Sequence, residues 1–232
     1  MMVPVLSPGD PFPPTETALK DPDGLLAMGG DLTSETLIRA YSEGIFPWFS
    51  GEQPILWWSP NPRLILLPEN LKISRSLSKT LRKKNFEVTV NTAFIDVIEK
   101  CARDRKGDSG SWITEEMLKA YTELFHLGLA TSVETWLNGR LVGGLYGVSM
   151  GRVFFGESMF SSASDASKVA LTHLLQTSHL KSIELIDCQV YSSHLVSLGA
   201  EMISRKTFEA MLHDLIKYPK NEDTHQPSSN LS

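Results

Sequence analysis

The sequence predicts a mixed α/β (α+β) fold in which helices cover both faces of one sheet, preceded by a small N-terminal module. From about residue 63, short runs rich in β-branched residues alternate with amphipathic helical segments. Residues 1–62 are instead rich in proline, glycine and tryptophan and contain one helical segment. With 232 residues, 41% of them hydrophobic, the chain can bury one good-sized core and a small second unit.

The N-terminal module, residues 1–62, begins with an extended stretch that contains five prolines among its first fourteen residues. "DPDGLLAMGGDL" is rich in turn residues, and "TSETLIRAYSEG" predicts a short helix capped by threonine and ended by glycine. The next segment places Trp48, Trp57 and Trp58 among prolines and glycines. We expect most of these tryptophans to pack the module against the larger domain, with stacking on a base as the alternative.

Residues 63–218 are expected to form the larger, catalytic domain, and residues 219–232 a disordered tail without apolar pattern. An Asn-Gly pair at 138–139 predicts a tight hairpin turn. The predicted strands are 64–67, 86–90, 131–137, 141–149, 153–160 and the run ending in "LIDCQ"; the predicted helices are 72–84, 93–104, 114–126, 164–177 and 206–216.

One of these helices is strongly basic, although the formal net charge of the chain is -5. "KISRSLSKTLRKK" carries six positive charges and no acid. Helical spacing places Arg75, Lys79 and Arg82 on one face, with Lys83 and Lys84 at its end. A solvated helix face is the ordinary explanation of such a run. In an acidic protein the patch also favours local contact with a phosphate backbone, which the net charge alone would not suggest.

The N-terminus, the apolar runs and the two cysteines indicate which class of protein this is. No basic segment leads into an apolar one at the N-terminus, and no apolar run approaches the roughly 20 residues of a membrane helix. Cys101 and Cys188 are far apart and show no metal-ligand spacing. We therefore expect a cytoplasmic protein that needs no metal or other cofactor and has no contact with a membrane.

The stretch "LIDCQV", residues 185–190, ends a predicted buried strand with an acid and an amide on either side of a cysteine. Because side chains alternate along a strand, Asp187 and Gln189 are expected to face one side and Cys188 the other. A functional pair and an ordinary polar strand end are both compatible with this pattern. A thiol enzyme using Cys188 with His194 is disfavoured, since no basic neighbour that would lower the pKa of the thiol is evident.

The predicted order of strand, two helices, three-strand antiparallel meander, helix, strand and helix resembles the GCN5-related N-acetyltransferase fold. Members of that fold family that use acyl-CoA hold its pyrophosphate in a glycine-rich loop before the helix predicted here at 164–177. The corresponding junction reads "MFSSASDASK" and contains no glycine. An acyl-CoA-dependent N-acetyltransferase is therefore a disfavoured alternative.

Three longer blocks resemble the leucyl/phenylalanyl-tRNA protein transferase family over roughly residues 12–210: "GLLAMGGDL" with "AYSEGIFPWFS" and "WWSPNPR", "GESMFSSASDASKVAL", and "IDCQ" with "HLVSLGAEMISR". The resemblance implies a monomeric enzyme that moves leucine, phenylalanine or, less readily, methionine from aminoacyl-tRNA to the N-terminal arginine or lysine of proteins. Its products would enter N-end-rule degradation. A non-catalytic tRNA-binding module is the alternative from another class.

The implied chemistry is undemanding, because an aminoacyl-tRNA is already an activated ester. Aminolysis requires an uncharged amine placed against the ester carbonyl, stabilisation of the oxyanion and exclusion of water. A protein α-amino group has a pKa of about 7.7–8.0, so a strong base is unnecessary. An acid and an amide are sufficient for such a site.

The resemblance implies that Asp187 and Gln189 are the catalytic pair, with Asp187 holding Gln189 by a hydrogen bond and the Gln189 carbonyl oxygen orienting the incoming amine. Glu157, on the neighbouring predicted strand, is expected to face the same cleft and attract a substrate cation, with a cross-strand ion pair as the alternative. The other implied residues are Leu145, Phe154, Leu171 and Leu174 around the aminoacyl side chain, Trp48 and Trp112 around the terminal adenosine, and Arg75, Lys79, Arg82, Lys83 and Lys84 on tRNA phosphates.

Overall fold

The computed structural model describes residues 3–51, 53–104, 113–176 and 183–216. The tail predicted at 219–232 and the predicted adenosine contact Trp112 lie outside the described residues. The helices in these ranges are all too short or too polar to span a membrane.

The N-terminal segment folds around a four-stranded sheet whose strand order is β1-β2-β4-β3. Its elements are β1 (Val5–Leu6), β2 (Leu25–Gly29), α1 (Ser34–Ser42), β3 (Phe46–Pro47) and β4 (Leu56–Trp58). The predicted helix is confirmed, and the Thr33 side chain caps it by accepting a hydrogen bond from the backbone N–H of Thr36. The four strands were not predicted, because each has five residues or fewer and shows little alternation.

The rest of the described chain forms a seven-stranded mixed sheet of order β11-β5-β10-β9-β8-β7-β6. Its strands are β5 (Arg63–Leu66), β6 (Glu87–Val90), β7 (Ala130–Leu137), β8 (Arg140–Met150), β9 (Val153–Ser161), β10 (Leu185–Gln189) and β11 (Glu201–Ile203). Its helices are α2 (Arg75–Lys83), α3 (Phe94–Asp104), α4 (Glu115–His126), α5 (Ala166–Gln176), α6 (Ser193–Ser197) and α7 (Arg205–Leu215).

The predicted mixed α/β class, the antiparallel β7-β8-β9 meander and helices on both faces are confirmed. Phe154 and Phe155 are adjacent on β9 and both buried, yet they belong to two different core clusters. Because adjacent strand residues point to opposite faces, the two clusters lie on opposite sides of the sheet. One contains residues of α1, α3, α4 and α7, and the other contains residues of α5. The short elements α6 and β11 were not predicted.

Strands β9 and β10 pair over only part of their length and then separate. The two strands are parallel neighbours, and their pairing runs from Leu185–Val153 to Asp187–Phe155. Immediately beyond that point each strand carries a bulge against its other neighbour. Glu157 is the extra residue where β9 faces β8, and Cys188 is the extra residue where β10 faces β5. Bulges redirect side chains, so the alternation expected from the sequence fails where the strands part.

Candidate active site

A cavity of about 360 Å³ lies where β9 and β10 separate. Phe46, Pro47 and Trp48 of the N-terminal segment line part of it. Its wall is mostly apolar, and Glu157 and Gln189 contribute polar groups. An apolar cavity with a few convergent polar groups is the usual form of a small-ligand site.

Asp187 does not face this cavity with Gln189, so the predicted arrangement of the pair is wrong. The Asp187 side chain is fully buried and accepts two hydrogen bonds from Arg63, Nε to Oδ1 at 2.8 Å and Nη2 to Oδ2 at 2.7 Å. Gln189 and Cys188 border the cavity instead. The bulge at Cys188 is the physical reason, because it breaks the two-residue period on which the prediction rested.

Arg63 contacts residues of the N-terminal segment and of helix α7. Its guanidinium carbon lies 4.8 Å from the ring centroid of Phe46 and 4.6 Å from that of Phe208, and its Nη1 donates to the Gly44 carbonyl at 3.0 Å. Gly44 has φ +75°, and a Cβ there would lie 3.0 Å from the Phe208 ring. Glycine is therefore favoured over other residues where the chain leaves α1. The bidentate pair and the two aromatic rings satisfy a charge that would otherwise be costly to bury.

Gln189 is linked to both neighbouring acids. Its backbone N–H donates to Asp187 Oδ1 at 2.9 Å, and its side-chain Nε2 donates to Glu157 Oε1 at 2.8 Å. Its φ of +66° lies in the left-handed region, which is uncommon for a residue other than glycine. The predicted hydrogen bond between Asp187 and Gln189 thus exists, but the backbone of Gln189 makes it. No hydrogen bond within the described part of the chain uses Gln189 Oε1, which leaves that oxygen available to accept.

Glu157 faces the cavity, as predicted, and its carboxylate is surrounded by donors. Tyr41 Oη lies 2.8 Å from Oε1 and Tyr121 Oη lies 2.8 Å from Oε2, in addition to the bond from Gln189. Burial raises the pKa of Glu157 to about 7, although the hydrogen bonds from the two tyrosines lower it and the nearby charge of Asp187 raises it. The carboxyl group therefore changes charge near neutral pH.

The thiol alternative has no support in this geometry. Burial and the charge of Asp187 raise the pKa of the Cys188 thiol far above its usual range, so the thiol stays protonated and is a poor nucleophile. Burial and the charge of Lys168 lower the pKa of His194, which also borders the cavity. Within residues 3–51, 53–104, 113–176 and 183–216, no cluster of three or more His, Cys, Asp or Glu side chains could hold a metal ion.

Three of the four predicted pocket residues come together. Leu145, Phe154 and Leu171 border the cavity, whereas Leu174 is fully buried in the adjoining core and does not. The spacing of Leu171 and Leu174 placed both on one helix face, but only the first reaches the opening between the strands. Further apolar residues that border the cavity are Leu66, Met159, Ile186 and Leu195.

Trp48 also borders the cavity, and the residue is 42% exposed. Its ring lies at an angle of 57° to that of Trp58, with centroids 5.6 Å apart. Trp57, by contrast, is fully buried and donates from Nε1 to the Gly29 carbonyl at 2.9 Å. Trp57 thus packs within the N-terminal segment, where its ring also contacts that of Phe12, and Trp48 presents an aromatic surface at the cavity.

The basic segment forms α2 as predicted, with Ser74 as its N-cap and the left-handed Lys84 at its C-terminus. Leu77 is the buried residue of this helix, and the basic side chains of the helix are exposed. The exposed basic residues are Arg75, Lys79, Arg82, Lys83 and Lys84. The helix therefore presents a positively charged surface to solvent.

Sequence reasoning missed Arg63, Tyr41 and Tyr121. Arg63 had a signal, since a charged residue opens the otherwise apolar strand "RLIL" and needs a buried partner. The tyrosines had none: each lies in an amphipathic helix, and only the tertiary structure brings their hydroxyl groups 2.6 Å apart.

Two family models and two curated relatives that match this chain carry the name of one family. The family model described as leucyl/phenylalanyl-tRNA protein transferase matches residues 65–213, and the model of that family's N-terminal domain matches residues 30–61. The chain is 52% identical over 219 residues to the leucyl/phenylalanyl-tRNA protein transferase of Chromobacterium violaceum, covering 94% of each chain. It is 54% identical over 217 residues to the protein of the same name from Nitrosospira multiformis, again covering 94% of each.

Similar solved structures include a GCN5-related N-acetyltransferase from Kribbella flavida, with a TM-score of 0.36, 12% identity and coverage of 69% of this chain and 57% of that one. Another is L-PGS from Bacillus licheniformis, with a TM-score of 0.40, 9% identity and coverage of 80% and 63%.

Proposed function

The chain belongs to the leucyl/phenylalanyl-tRNA protein transferase family, and we propose that it transfers leucine or phenylalanine from aminoacyl-tRNA to the N-terminus of an acceptor protein. One observation supports this reaction directly. The cavity between β9 and β10 is lined mostly by apolar residues, and Gln189 and Glu157 also line it. An apolar side chain can enter it while its ester carbon lies next to two polar groups that bind an amine.

Gln189 orients the attacking amine. Its Nε2 is bonded to Glu157 Oε1, so its Oε1 is directed to another donor, and an amine N–H is such a donor. An amide is too weakly basic to retain a proton, so its contribution is orientation of the nucleophile. Asp187 does not touch the substrate; it is a positioning residue that holds the backbone of Gln189 in the bulge.

Glu157 supplies negative charge to the cavity and attracts the cationic N-terminus of the acceptor. Acceptors that begin with arginine or lysine bring two cations, the α-ammonium and the side chain. Transfer to such acceptors would mark them for N-end-rule degradation.

The tRNA is held away from the reacting atoms. The exposed basic side chains of α2 contact phosphates of the acceptor stem, which would make affinity depend on salt concentration. Trp48 stacks on the terminal adenosine at the cavity, an interaction worth about 1–3 kcal/mol per base. Trp112 is the proposed second face of that stack.

We divide the chain into a small N-terminal domain at 1–62, a catalytic domain at 63–218 and a tail at 219–232, acting as a monomer in the cytoplasm. The strands of one sheet all lie within residues 5–58 and those of the other within residues 63–203, which supports the first boundary.

Transfer of labelled leucine from leucyl-tRNA to two peptides that differ only in an N-terminal Arg or Ala tests this function. We expect transfer to the Arg peptide alone and its loss when the tRNA is digested with RNase. Binding of tRNA without transfer to either peptide would instead favour the non-catalytic tRNA-binding module.

Shortening Leu171 is expected to change the choice of amino acid. Leu171→Val widens the cavity, so leucine loses contact while the larger phenylalanine still fills the space. A methylene in such a pocket is worth about 1–3 kcal/mol, so the preference for phenylalanyl-tRNA over leucyl-tRNA should rise about tenfold. The ratio of kcat/KM values for the two donors measures it.

Leu174→Val is the matched control for this variant. Leu174 lies three residues away on the same helix and is fully buried, but it does not border the cavity. It should lower stability without changing the donor ratio. Equal changes in the ratio for the two variants would contradict the proposed pocket.

A further inference from the structure

Glu157 and the two tyrosines near it form a closed ring of oxygen contacts. Tyr41 Oη and Tyr121 Oη are 2.6 Å apart, Tyr41 Oη is 2.8 Å from Glu157 Oε1, and Tyr121 Oη is 2.8 Å from Glu157 Oε2. The tyrosines are fully buried and Glu157 is 6% exposed. Each of the three contacts is short enough to require a hydrogen atom between its oxygens.

The number of hydrogen atoms depends on the charge of Glu157. Each tyrosine hydroxyl supplies one, so an ionised carboxylate leaves three contacts with two hydrogens, and two oxygen lone pairs face each other. Protonation of Oε2 completes the ring: Oε2–H donates to Tyr121, Tyr121 donates to Tyr41, and Tyr41 donates to Oε1. Gln189 Nε2 donates to Oε1 in both states. The ring is thus fully hydrogen-bonded when it holds one additional proton.

We propose that this cluster of Glu157, Tyr41 and Tyr121 accepts the proton that the acceptor's α-ammonium must lose before it attacks the ester. The proposal rests on the transferase function proposed above. Glu157 is the catalytic acceptor, because its carboxyl group borders the cavity beside Gln189. Tyr41 and Tyr121 are positioning residues that act through Glu157.

The other groups near the reacting atoms are less suitable acceptors. Both oxygens of Asp187 are occupied by Arg63, and the side chain has no exposed surface. The thiol of Cys188 could accept a proton only as a thiolate, which burial disfavours. Burial lowers the pKa of His194, which weakens it as a base.

The electrostatic surroundings of Glu157 match this role. Tyr41 lies on α1, Tyr121 on α4 and Tyr146 on β8, and the charge of Asp187, which is paired with Arg63, also acts on Glu157. Burial raises the pKa of Glu157 to about 7, close to the pKa of about 7.7–8.0 of a protein α-amino group. Burial also raises the pKa values of Tyr41 and Tyr121 well above their usual range, so both keep their hydroxyl hydrogens.

The reaction then balances in protons and bonds. The carboxylate takes one proton from the α-ammonium, which leaves a neutral amine hydrogen-bonded to Gln189 Oε1. The amine nitrogen forms a bond to the ester carbon, and the bond from that carbon to the tRNA ribose oxygen breaks. A second proton of the nitrogen passes to the leaving ribose oxygen. Glu157 then releases its proton to water, so each turnover releases one proton.

Removing one tyrosine hydroxyl tests the proposal. Tyr121→Phe removes a donor to the ionised carboxylate and an acceptor of the protonated one. The bond to the ionised form is the stronger, so the pKa of Glu157 rises and the transition should move to higher pH. We expect a displacement of about one pH unit, a tenfold change in proton affinity. Single-turnover transfer at saturating peptide should fall as the pH drops through about 7 in the unaltered protein, and at correspondingly higher pH in the variant. Tyr41→Phe should act in the same direction.

An infrared titration of the protonated carboxyl band of the free protein gives a readout that does not depend on activity. Glu157→Gln should lack the transition near neutral pH, Tyr121→Phe should displace it, and the exposed Tyr191→Phe should leave both the band and the transfer profile unchanged. Transfer with the same pH profile in Tyr121→Phe as in the unaltered protein would refute this inference and leave the proposed function standing. Absence of transfer by the unaltered protein at every pH would refute both.

Discussion

Replacing Arg63 with methionine is expected to destabilise the protein by about 3–5 kcal/mol and to abolish transfer. The substitution leaves the fully buried Asp187 without the partner that binds both of its oxygens, and an uncompensated buried charge has a cost of that size. It also removes the bond to the Gly44 carbonyl and the contacts with Phe46 and Phe208. The free energy of unfolding from a urea titration measures the loss.

Arg152→Met is the matched control. Arg152 pairs with Glu184 on the surface, where both side chains are about half exposed, and such a pair contributes about 0–1 kcal/mol. The free energy of unfolding should therefore change by less than that amount. An equal loss in both variants would show that the burial of Arg63 has no special importance.

The double variant Arg63→Met, Asp187→Leu separates stability from activity. Replacing both members of a buried ion pair by apolar residues of similar volume is often neutral or stabilising. We expect the double variant to regain much of the lost stability while transfer stays absent, because the backbone of Gln189 has lost its acceptor. Recovery of transfer in the double variant would contradict the positioning role of Asp187.

Gln189→Ala is expected to reduce the single-turnover rate of transfer by about 10²-fold, while the affinity for aminoacyl-tRNA changes little. The variant removes the oxygen that we propose orients the amine, and misplacement of a nucleophile by about 1 Å has an effect of this size. It also removes one donor from Glu157, which should move the acid limb of the rate profile to higher pH.

Gln176→Ala is the control for this variant, because Gln176 is exposed at the end of α5 and lies outside the cavity. Its rate should equal that of the unaltered protein. A rate for Gln189→Ala within twofold of the unaltered protein would contradict the orienting role. Weaker tRNA affinity with an unchanged single-turnover rate would place Gln189 in binding of the donor.

The sequence predicted much of the fold from local signals. Helices α1, α3 and α4 begin and end close to the predicted residues, and the Asn-Gly turn between β7 and β8 forms as expected. These features depend on neighbours within about four residues, which the sequence displays directly. The exposed basic face of α2 was predictable for the same reason.

The site was only partly predictable, because alternation along β10 does not survive the separation of the strands. The sequence identified Glu157 and Gln189, and both line the same cavity in the structure. Asp187 instead forms a buried ion pair with Arg63, and Cys188 lines the cavity. A bulge depends on pairing with a neighbouring strand, and pairing is a long-range property that a local pattern does not contain.

The sequence by itself determined the class of fold, the family resemblance and the chemical types of the site residues, because these follow from composition, order and local spacing. Only the tertiary structure decided which groups touch. Arg63 is 124 residues from Asp187, and Tyr41 is 116 residues from Glu157. Their contacts arise when α1, α4 and β5 pack around β9 and β10, and this packing fixes both the ion pair and the ring of oxygens.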